Sequence, residues 1–138
     1  MRKINFLILM SLTLTGCKGT KDKGVYDISI EEYTTYVDYL GELGVKNPQN
    51  YDQIMIFDRY GCESCRENIE AALKMINLND NILVVEISDK EDNTIPSDRY
   101  IFDTERLFFR YNLFAHRASI LLPSSKGIIL IDEFLKDE

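Results

Sequence analysis

The sequence has little of what nucleic-acid sites and zinc sites require. Its 16 Lys and Arg residues are outnumbered by 23 Asp and Glu residues, which gives a net charge of −7. The basic residues form no run that could hold a phosphate backbone, so nucleic acid is excluded as a partner. A structural zinc site built on one cysteine pair needs two more ligands, and the chain has a single histidine and no second cysteine pair. With 138 residues, 45% of them hydrophobic, the chain can bury one core, and we expect one small domain.

The N-terminus has the pattern of a signal peptide. Arg2 and Lys3 precede an apolar run over residues 4–12, which is too short to cross a bilayer as a helix. We therefore expect residues 1–16 to be removed. Their removal takes away two positive charges and no negative ones, so the net charge of −7 becomes −9 in the mature chain.

The residues that end this segment, Leu14-Thr15-Gly16-Cys17, resemble the lipobox of bacterial lipoproteins. The resemblance implies that Cys17 becomes the first residue and is acylated on its sulfur by fatty acids such as palmitate. It also implies a lipid-anchored protein of the cell envelope, facing the periplasm or the cell exterior. Residues 17–24 would then be the lipidated cysteine with a flexible tether, and residues 25–138 the domain. Because the mature chain is acidic, the acyl chains are its only predicted attachment to the membrane.

The remaining pattern predicts an α/β fold. Ser29 with Glu32 forms a capping box, and Ile30, Tyr33, Val37 and Leu40 follow at helical spacing up to Gly41 and Gly44. A continuous apolar run over residues 54–57 and a nearly all-apolar run over residues 82–87 predict strands that are buried on both faces. A helical stripe between them, formed by Cys65, Ile69, Ala72, Leu73 and Ile76, predicts a parallel strand–helix–strand crossover.

Further elements complete an α/β sandwich with a central mixed sheet. Residues 88–99 are polar and predict an exposed loop, and a short helix is expected over about 104–111. Residues 119–122 and 128–131 predict a β-hairpin whose loop requires Gly127. The expected order is therefore α, β, α, β, α, β, β.

The segment that carries chemistry is Cys62-Glu63-Ser64-Cys65, between the first buried strand and its helix. This context favours a redox pair. Cys65 lies on the buried stripe, whereas Cys62 falls at the helix N-terminus, where the helix dipole lowers a thiol pKa from about 8.5. Cys62 is thus the predicted attacking thiol and Cys65 the resolving thiol. An inert structural disulfide is the alternative, since extracellular cysteine pairs often serve only to stabilise a fold.

At this point the sequence resembles the thioredoxin-like superfamily, and within it the TlpA-type membrane-anchored thiol–disulfide oxidoreductases. The cysteine pair and residues 118–127 carry the resemblance. It implies a sheet between helices and a protein dithiol or disulfide partner in the cell envelope, with no cofactor. Ala118 occupies the cis-proline position, and we expect a trans bond before it because a cis bond without proline costs about 2.5–4 kcal/mol. The closing helix of the family is expected to be missing.

Other positions take their interpretation from this resemblance. Tyr60 and Gly61 occupy the place where the family has a tryptophan. Ile56 occupies the position of the family's buried acid, and Asp58 follows two residues later. Arg117 precedes the cis-proline position, where it would approach Cys62 and stabilise the thiolate; a solvated loop arginine is the alternative.

His116 offers a different chemistry. Its position resembles that of the metal-binding histidine of Sco-type copper chaperones, and two thiolates with one imidazole suit copper. A copper-binding module that uses Cys62, Cys65 and His116 is therefore an alternative function. An exposed loop histidine is the simpler interpretation of the same residue. A non-catalytic adaptor with a structural disulfide is the third possibility.

Overall fold

A computed structural model describes residues 24–61, 63–75, 81–91, 98–113 and 118–137. The predicted signal peptide, Cys17 and most of the tether lie outside the described residues, as do Cys62, Ile76, His116 and Arg117. The elements in chain order are β1 (Val25–Asp27), α1 (Ile30–Glu42), β2 (Gln53–Asp58), α2 (Glu63–Met75), β3 (Ile82–Ile87), β4 (Tyr100–Asp103), α3 (Leu107–Arg110), β5 (Ala118–Leu122), β6 (Gly127–Leu130) and α4 (Ile131–Phe134), with 3₁₀ turns at Pro48–Asn50 and Leu135–Asp137.

Within the described ranges, six strands form one mixed sheet in the order β1-β6-β5-β2-β3-β4. β2 pairs in parallel with β3, and β3 in parallel with β4. β5 is antiparallel to both β2 and β6, and β6 is antiparallel to β1. The predicted mixed sheet, the parallel pairing across α2 and the C-terminal hairpin are therefore confirmed.

Two apolar cores lie on the two faces of the sheet. Along β2, Ile54 and Ile56 belong to the core that also contains buried residues of α1. Met55 and Phe57 belong to the other core, with Ile69 and Ala72 of α2. Because successive side chains of a strand point to opposite faces, a strand covered by helices on both sides must be apolar throughout. This explains the continuous apolar runs of β2 and β3.

The first helix begins as predicted, and its buried face includes Tyr33 and Leu40 of the predicted stripe. The Ser29 side chain accepts a hydrogen bond from the Glu32 backbone N–H at 3.1 Å, which caps the helix. Ile30, predicted on the buried stripe, is 74% exposed. Tyr36 and Tyr39 are instead fully buried, beside Tyr33 and Leu40. The three tyrosines supply most of the aromatic volume of this core.

The sequence pattern missed two edge strands and misplaced the end of the sheet. β1 and β4 each extend the sheet at one side, and β1 precedes the helix that was expected first. The expectation that no closing helix follows the hairpin is wrong in part. Ile131 begins a turn of α-helix, α4, which is joined to α2 by a hydrogen bond from Asn68 Nδ2 to Asp132 Oδ1 at 2.7 Å. The Ile131 side chain is buried in the α2-side core.

Gly127 is required for a reason other than the one expected. It is the first residue of β6, and the left-handed residue of the hairpin loop is Lys126, with φ of 54°. A Cβ atom on Gly127 would lie 2.8 Å from Val25 Cγ1. The glycine therefore permits the close approach of β1 to β6.

Asp103 forms the start of the short helix after β4. Its Oδ1 accepts from the backbone N–H of Leu107, and its Oδ2 from that of Phe108, both at 2.9 Å. The Tyr39 hydroxyl donates to Oδ2 at 3.2 Å. The helix begins at Leu107, later than expected, because Arg106 adopts a left-handed conformation before it. The fully buried carboxylate thus connects α1, β4 and α3.

The buried tyrosines predict a loss of stability in alkali. Burial is the main cause that raises the pKa of Tyr36 and Tyr39 above the ordinary value of 10.0. The folded state therefore disfavours the phenolate, whereas the unfolded chain ionises near pH 10.0. The free energy of unfolding should be constant below that pH and fall above it, by about 1.4 kcal/mol per pH unit for each tyrosine.

Urea midpoints measured by circular dichroism between about pH 8 and 11 test this slope. Tyr39→Phe should flatten it, and Tyr60→Phe, which changes an exposed tyrosine, serves as the matched control. An identical slope in wild type and Tyr39→Phe would contradict the prediction.

Among the described residues, no helix is long and apolar enough to cross a membrane.

Candidate functional site

A tight turn connects the end of β2 to the start of α2. The Asp58 side chain accepts the backbone N–H of Tyr60 at 3.0 Å, and the Asp58 carbonyl accepts that of Gly61 at 3.2 Å. Asp58 is itself buried. The turn delivers the chain to Glu63, the first residue of α2, so the cysteine motif follows directly from a central buried strand.

Cys65 lies in the first turn of α2 and is half-buried against the α2-side core. It takes part in a disulfide bond, whose partner lies outside the described residues. Ile69 and Ala72 of the predicted stripe are buried and Leu73 is half-buried, which confirms the predicted orientation of the helix. The cysteine thus has the inward-facing position expected of a resolving thiol.

The structure brings Ala118 to the same core as Cys65. Ala118 is the first residue of β5, pairs with Phe57 of β2 and is half-buried against the α2-side core. Tyr60, by contrast, is 53% exposed. Cys62, His116 and Arg117 lie outside the described residues, so the attacking thiol, the peptide bond before Ala118 and the copper alternative remain predictions. The part of the chain that is described contains no group of three His, Cys, Asp or Glu residues that could hold a metal.

A buried acid lies beside this turn, although not where the resemblance implied one. Ile56 is an apolar core residue, while Glu86 of β3 is 1% exposed. Arg59 binds both carboxylate oxygens of Glu86, with an Nη2–Oε2 distance of 3.0 Å, and Tyr100 donates its hydroxyl to Oε2. The only signal in the sequence is one acidic residue within an otherwise apolar strand.

Glu86 raises the pKa of both of its hydrogen-bond partners. Burial, followed by the hydrogen bond to Glu86, raises the pKa of the Tyr100 hydroxyl. The hydrogen bond that the Arg59 guanidinium donates to Glu86 raises the pKa of Arg59. The cluster therefore contains a neutral phenol and a charged guanidinium, both of which donate hydrogen bonds to the buried Glu86 side chain.

An open cavity of about 260 Å³ lies against this cluster, beyond the ends of the parallel strands. It is lined by Arg59, Tyr60, Glu86, Ser88, Lys90, Glu91 and Phe102. Ligand sites in α/β sheets lie preferentially outside the carboxyl ends of the strands, as this cavity does. Its lining combines two aromatic rings with charges of both signs, which suits a short polypeptide segment better than a single ion.

Substitutions of Arg59 and of Glu86 are expected to lower the free energy of unfolding by unequal amounts. Arg59→Met should lower the free energy of unfolding by about 2–3 kcal/mol, because it leaves the buried carboxylate without its counter-ion. The cost should stay below that of a fully buried pair because the Arg59 side chain is 49% exposed. Glu86→Gln should cost about 1 kcal/mol, since the amide keeps a hydrogen-bonding oxygen and Arg59 remains partly solvated.

Urea denaturation of both variants tests this prediction, with Arg110→Met as the control for an exposed ion pair, to Glu105. If Arg59→Met and Glu86→Gln lower the free energy of unfolding equally, burial of the Glu86 charge is not the main contribution to the effect of Arg59→Met.

No family model, curated protein or solved structure matches the chain.

Proposed function

We propose that the chain is a lipid-anchored thiol–disulfide oxidoreductase of the cell envelope with a thioredoxin-like fold. The observation that carries the proposal is the half-buried Cys65, disulfide-bonded in the first turn of a helix that follows a central strand whose residues 54–58 are buried. A redox pair in this position has one sulfur in the packed helix and one at its exposed start. The mixed sheet with helices on both faces is compatible with the thioredoxin-like resemblance.

The reaction is a two-step thiol exchange. The Cys62 thiolate attacks one sulfur of a partner's disulfide, forming a mixed disulfide and releasing the partner's other sulfur as a thiolate. The Cys65 thiolate then attacks the Cys62 sulfur, forming the Cys62–Cys65 disulfide and releasing the partner's second thiolate. Two electrons pass from the domain to the partner. A dithiol donor in the envelope must return the domain to its reduced form.

The reduction potential of the pair tests this function against the structural-disulfide alternative. The full chain carrying Cys17→Ser is equilibrated with glutathione buffers, so that the odd cysteine takes no part in exchange. Catalytic pairs have potentials of roughly −120 to −270 mV, whereas structural disulfides lie below about −300 mV. A potential in the first range supports the proposal, and a potential in the second range identifies the pair as a structural disulfide. Cys65→Ser, which has no internal couple, is the control.

A further inference from the structure

The open cavity against the Arg59–Glu86 pair lies on one side of the turn over residues 58–61, which we call the motif turn. Residues of this turn and of β3 and β4 line it, whereas Ala118 of β5 lies on the other side of β2. The cavity is therefore separate from the surface around Ala118. Its volume of about 260 Å³ is smaller than the roughly 300–1,000 Å³ of pockets that hold drug-sized ligands. It has the size for a small part of a polypeptide.

The guanidinium of Arg59 is held at one edge by Glu86. Nε and Nη2 of Arg59 each donate one hydrogen bond to the Glu86 side chain. Since a guanidinium has five N–H groups, the other three, on Nη1 and Nη2, are not used by Glu86. The Arg59 side chain is 49% exposed and that of Glu86 only 1%, so the exposed edge is the one that points away from Glu86. This edge pairs two nitrogens in the arrangement that binds both oxygens of a carboxylate.

The other lining groups are also held in position. Tyr100 donates its hydroxyl to Glu86, and its ring packs against that of Phe102 with centroids 5.1 Å apart. In the loop after β3, the Ser88 hydroxyl donates to the Lys90 carbonyl at 3.1 Å and accepts from the Lys90 backbone N–H at 3.3 Å. A site whose groups are already ordered loses less freedom when a ligand binds, which strengthens binding.

The charges that line the cavity favour an anionic group. Glu86 is buried and bound to Arg59. Among the described lining residues, the charged side chains open to solvent are those of Arg59, Lys90 and Glu91. Two cations thus accompany one anion, in a mature chain whose net charge is −9. The exposed ring of Tyr60 adds apolar contact area beside them. A carboxylate on a short aliphatic stem, as in Asp and Glu side chains, matches this combination.

The cavity lies close to the cysteine pair along the chain. Arg59 is three residues before Cys62, and adjacent Cα atoms are about 3.8 Å apart, so the two Cα atoms lie within about 11 Å of each other. Three or four extended residues of a bound substrate cover that distance.

We propose that the cavity is a carboxylate-binding subsite, and that it selects partner polypeptides with an Asp or Glu residue within about six residues of the reactive cysteine. The selection of partners rests on the proposed function, whereas the binding of a carboxylate requires no redox chemistry. The Arg59 edge and Lys90 bind the carboxylate, and Glu86 and Tyr100 are positioning residues.

Nuclear magnetic resonance of the full chain carrying Cys17→Ser tests the carboxylate subsite alone. The probes are the capped tripeptides Ala-Glu-Ala and Ala-Gln-Ala, and inorganic phosphate. At equal concentration, the Glu peptide should shift the resonances of the Arg59 side chain and of the Lys90 and Glu91 amides at least about threefold more than the Gln peptide. Equal shifts would overturn the subsite. Saturation by phosphate at a lower concentration than by the Glu peptide would also overturn the assignment to a polypeptide.

Reduction of paired disulfide peptides tests the selection of partners. Each peptide has one disulfide and a single Glu or Gln at a fixed position, from one to six residues on either side of a cysteine. At the best position, the Glu peptide should be reduced about fivefold faster than its Gln counterpart. The preference should decrease in about 1 M salt, because the charges are screened. Equal rates at every position would overturn the selection.

Two exposed lining residues should change this preference in opposite directions. Lys90→Gln removes a cation and should lower the Glu-to-Gln rate ratio about twofold, whereas Glu91→Gln removes an anion that repels the carboxylate and should raise it. Arg59→Lys keeps a positive charge but loses the paired N–H edge, and should lower the ratio further. Lys136→Gln, at an exposed position outside the cavity, is the matched control and should leave the ratio unchanged. The same direction of change for Lys90→Gln and Glu91→Gln would contradict the proposal.

Failure of the subsite and failure of the proposed function give different results. A chain that reduces none of the peptides contradicts the proposed redox function, and the resonance shifts still test the subsite. A chain that reduces both members of every pair at the same rate keeps the redox function and overturns the selection of acidic partners.

Discussion

Cys62→Ser and Cys65→Ser are expected to fail at different steps of disulfide reduction. Cys62→Ser should lower turnover of a soluble disulfide substrate such as insulin by roughly 100-fold or more and form no covalent complex, because the attacking thiolate is gone. Cys65→Ser should lose turnover to a similar degree but accumulate a mixed disulfide through Cys62. In the proposed mechanism, the half-buried position of Cys65 in α2 makes it the thiol that resolves the mixed disulfide.

Non-reducing electrophoresis and intact mass of the trapped species measure the difference. Cys17→Ser is the matched control: it removes a cysteine outside the motif, and its turnover of the soluble substrate should equal that of wild type. Unchanged turnover in Cys62→Ser would exclude the proposed mechanism. A mixed disulfide formed through Cys65 in Cys62→Ser would reverse the two roles.

The sequence was sufficient to predict the helices and strands that are determined by the residue pattern within them. β2 and β3 read as buried strands because every residue over 54–57 is apolar, as is nearly every residue over 82–87. The helical stripe through Cys65 between them required a parallel crossover. Ser29 marked the start of α1 because its side chain caps the helix locally. Each of these signals is contained in a short stretch of chain.

Features that depend on distant partners could not be predicted in the same way. β1 has only three residues and no apolar alternation, and its strand geometry comes from pairing with β6. The strand predicted over residues 128–131 is one residue too long. An apolar residue at position 131 fits a strand as well as the start of α4, so the pattern could not distinguish them. At Gly127, the requirement for glycine comes from Val25, which is about a hundred residues earlier in the chain.

The features of the candidate site also differ in whether local sequence could predict them. The orientation of Cys65 followed from helical spacing, whereas the Arg59–Glu86–Tyr100 cluster joins the turn after β2 to β3 and β4 and leaves no spacing signal. The family resemblance also pointed to an acid at the position of Ile56, on the α1-side face of the sheet. Glu86 pairs with Phe57 across the strands and has its carboxylate on the α2 side, next to the motif turn. A resemblance in sequence order cannot show that a neighbouring strand supplies the charge.

Asp103→Ala is expected to be the most destabilising single substitution considered for this fold, with a loss of about 4 kcal/mol in the free energy of unfolding. The carboxylate accepts hydrogen bonds from the backbone of Leu107 and Phe108 and from the Tyr39 hydroxyl. Alanine would leave all of these donors without their acceptor around a fully buried position. Each buried donor that loses its partner costs about 1–3 kcal/mol.

Two milder variants separate the contributions. Asp103→Asn keeps one acceptor oxygen and should cost about 2 kcal/mol, and Tyr39→Phe, which removes one donor, should cost about 1 kcal/mol. Because the chain has no tryptophan, circular dichroism in urea is the suitable measurement. The expected order is Asp103→Ala, then Asp103→Asn, then Tyr39→Phe. If Asp103→Ala does not fold, the two milder variants still test this order. A cost of Tyr39→Phe equal to that of Asp103→Asn would show that the α3 backbone donors contribute little, and that Asp103 acts mainly through α1.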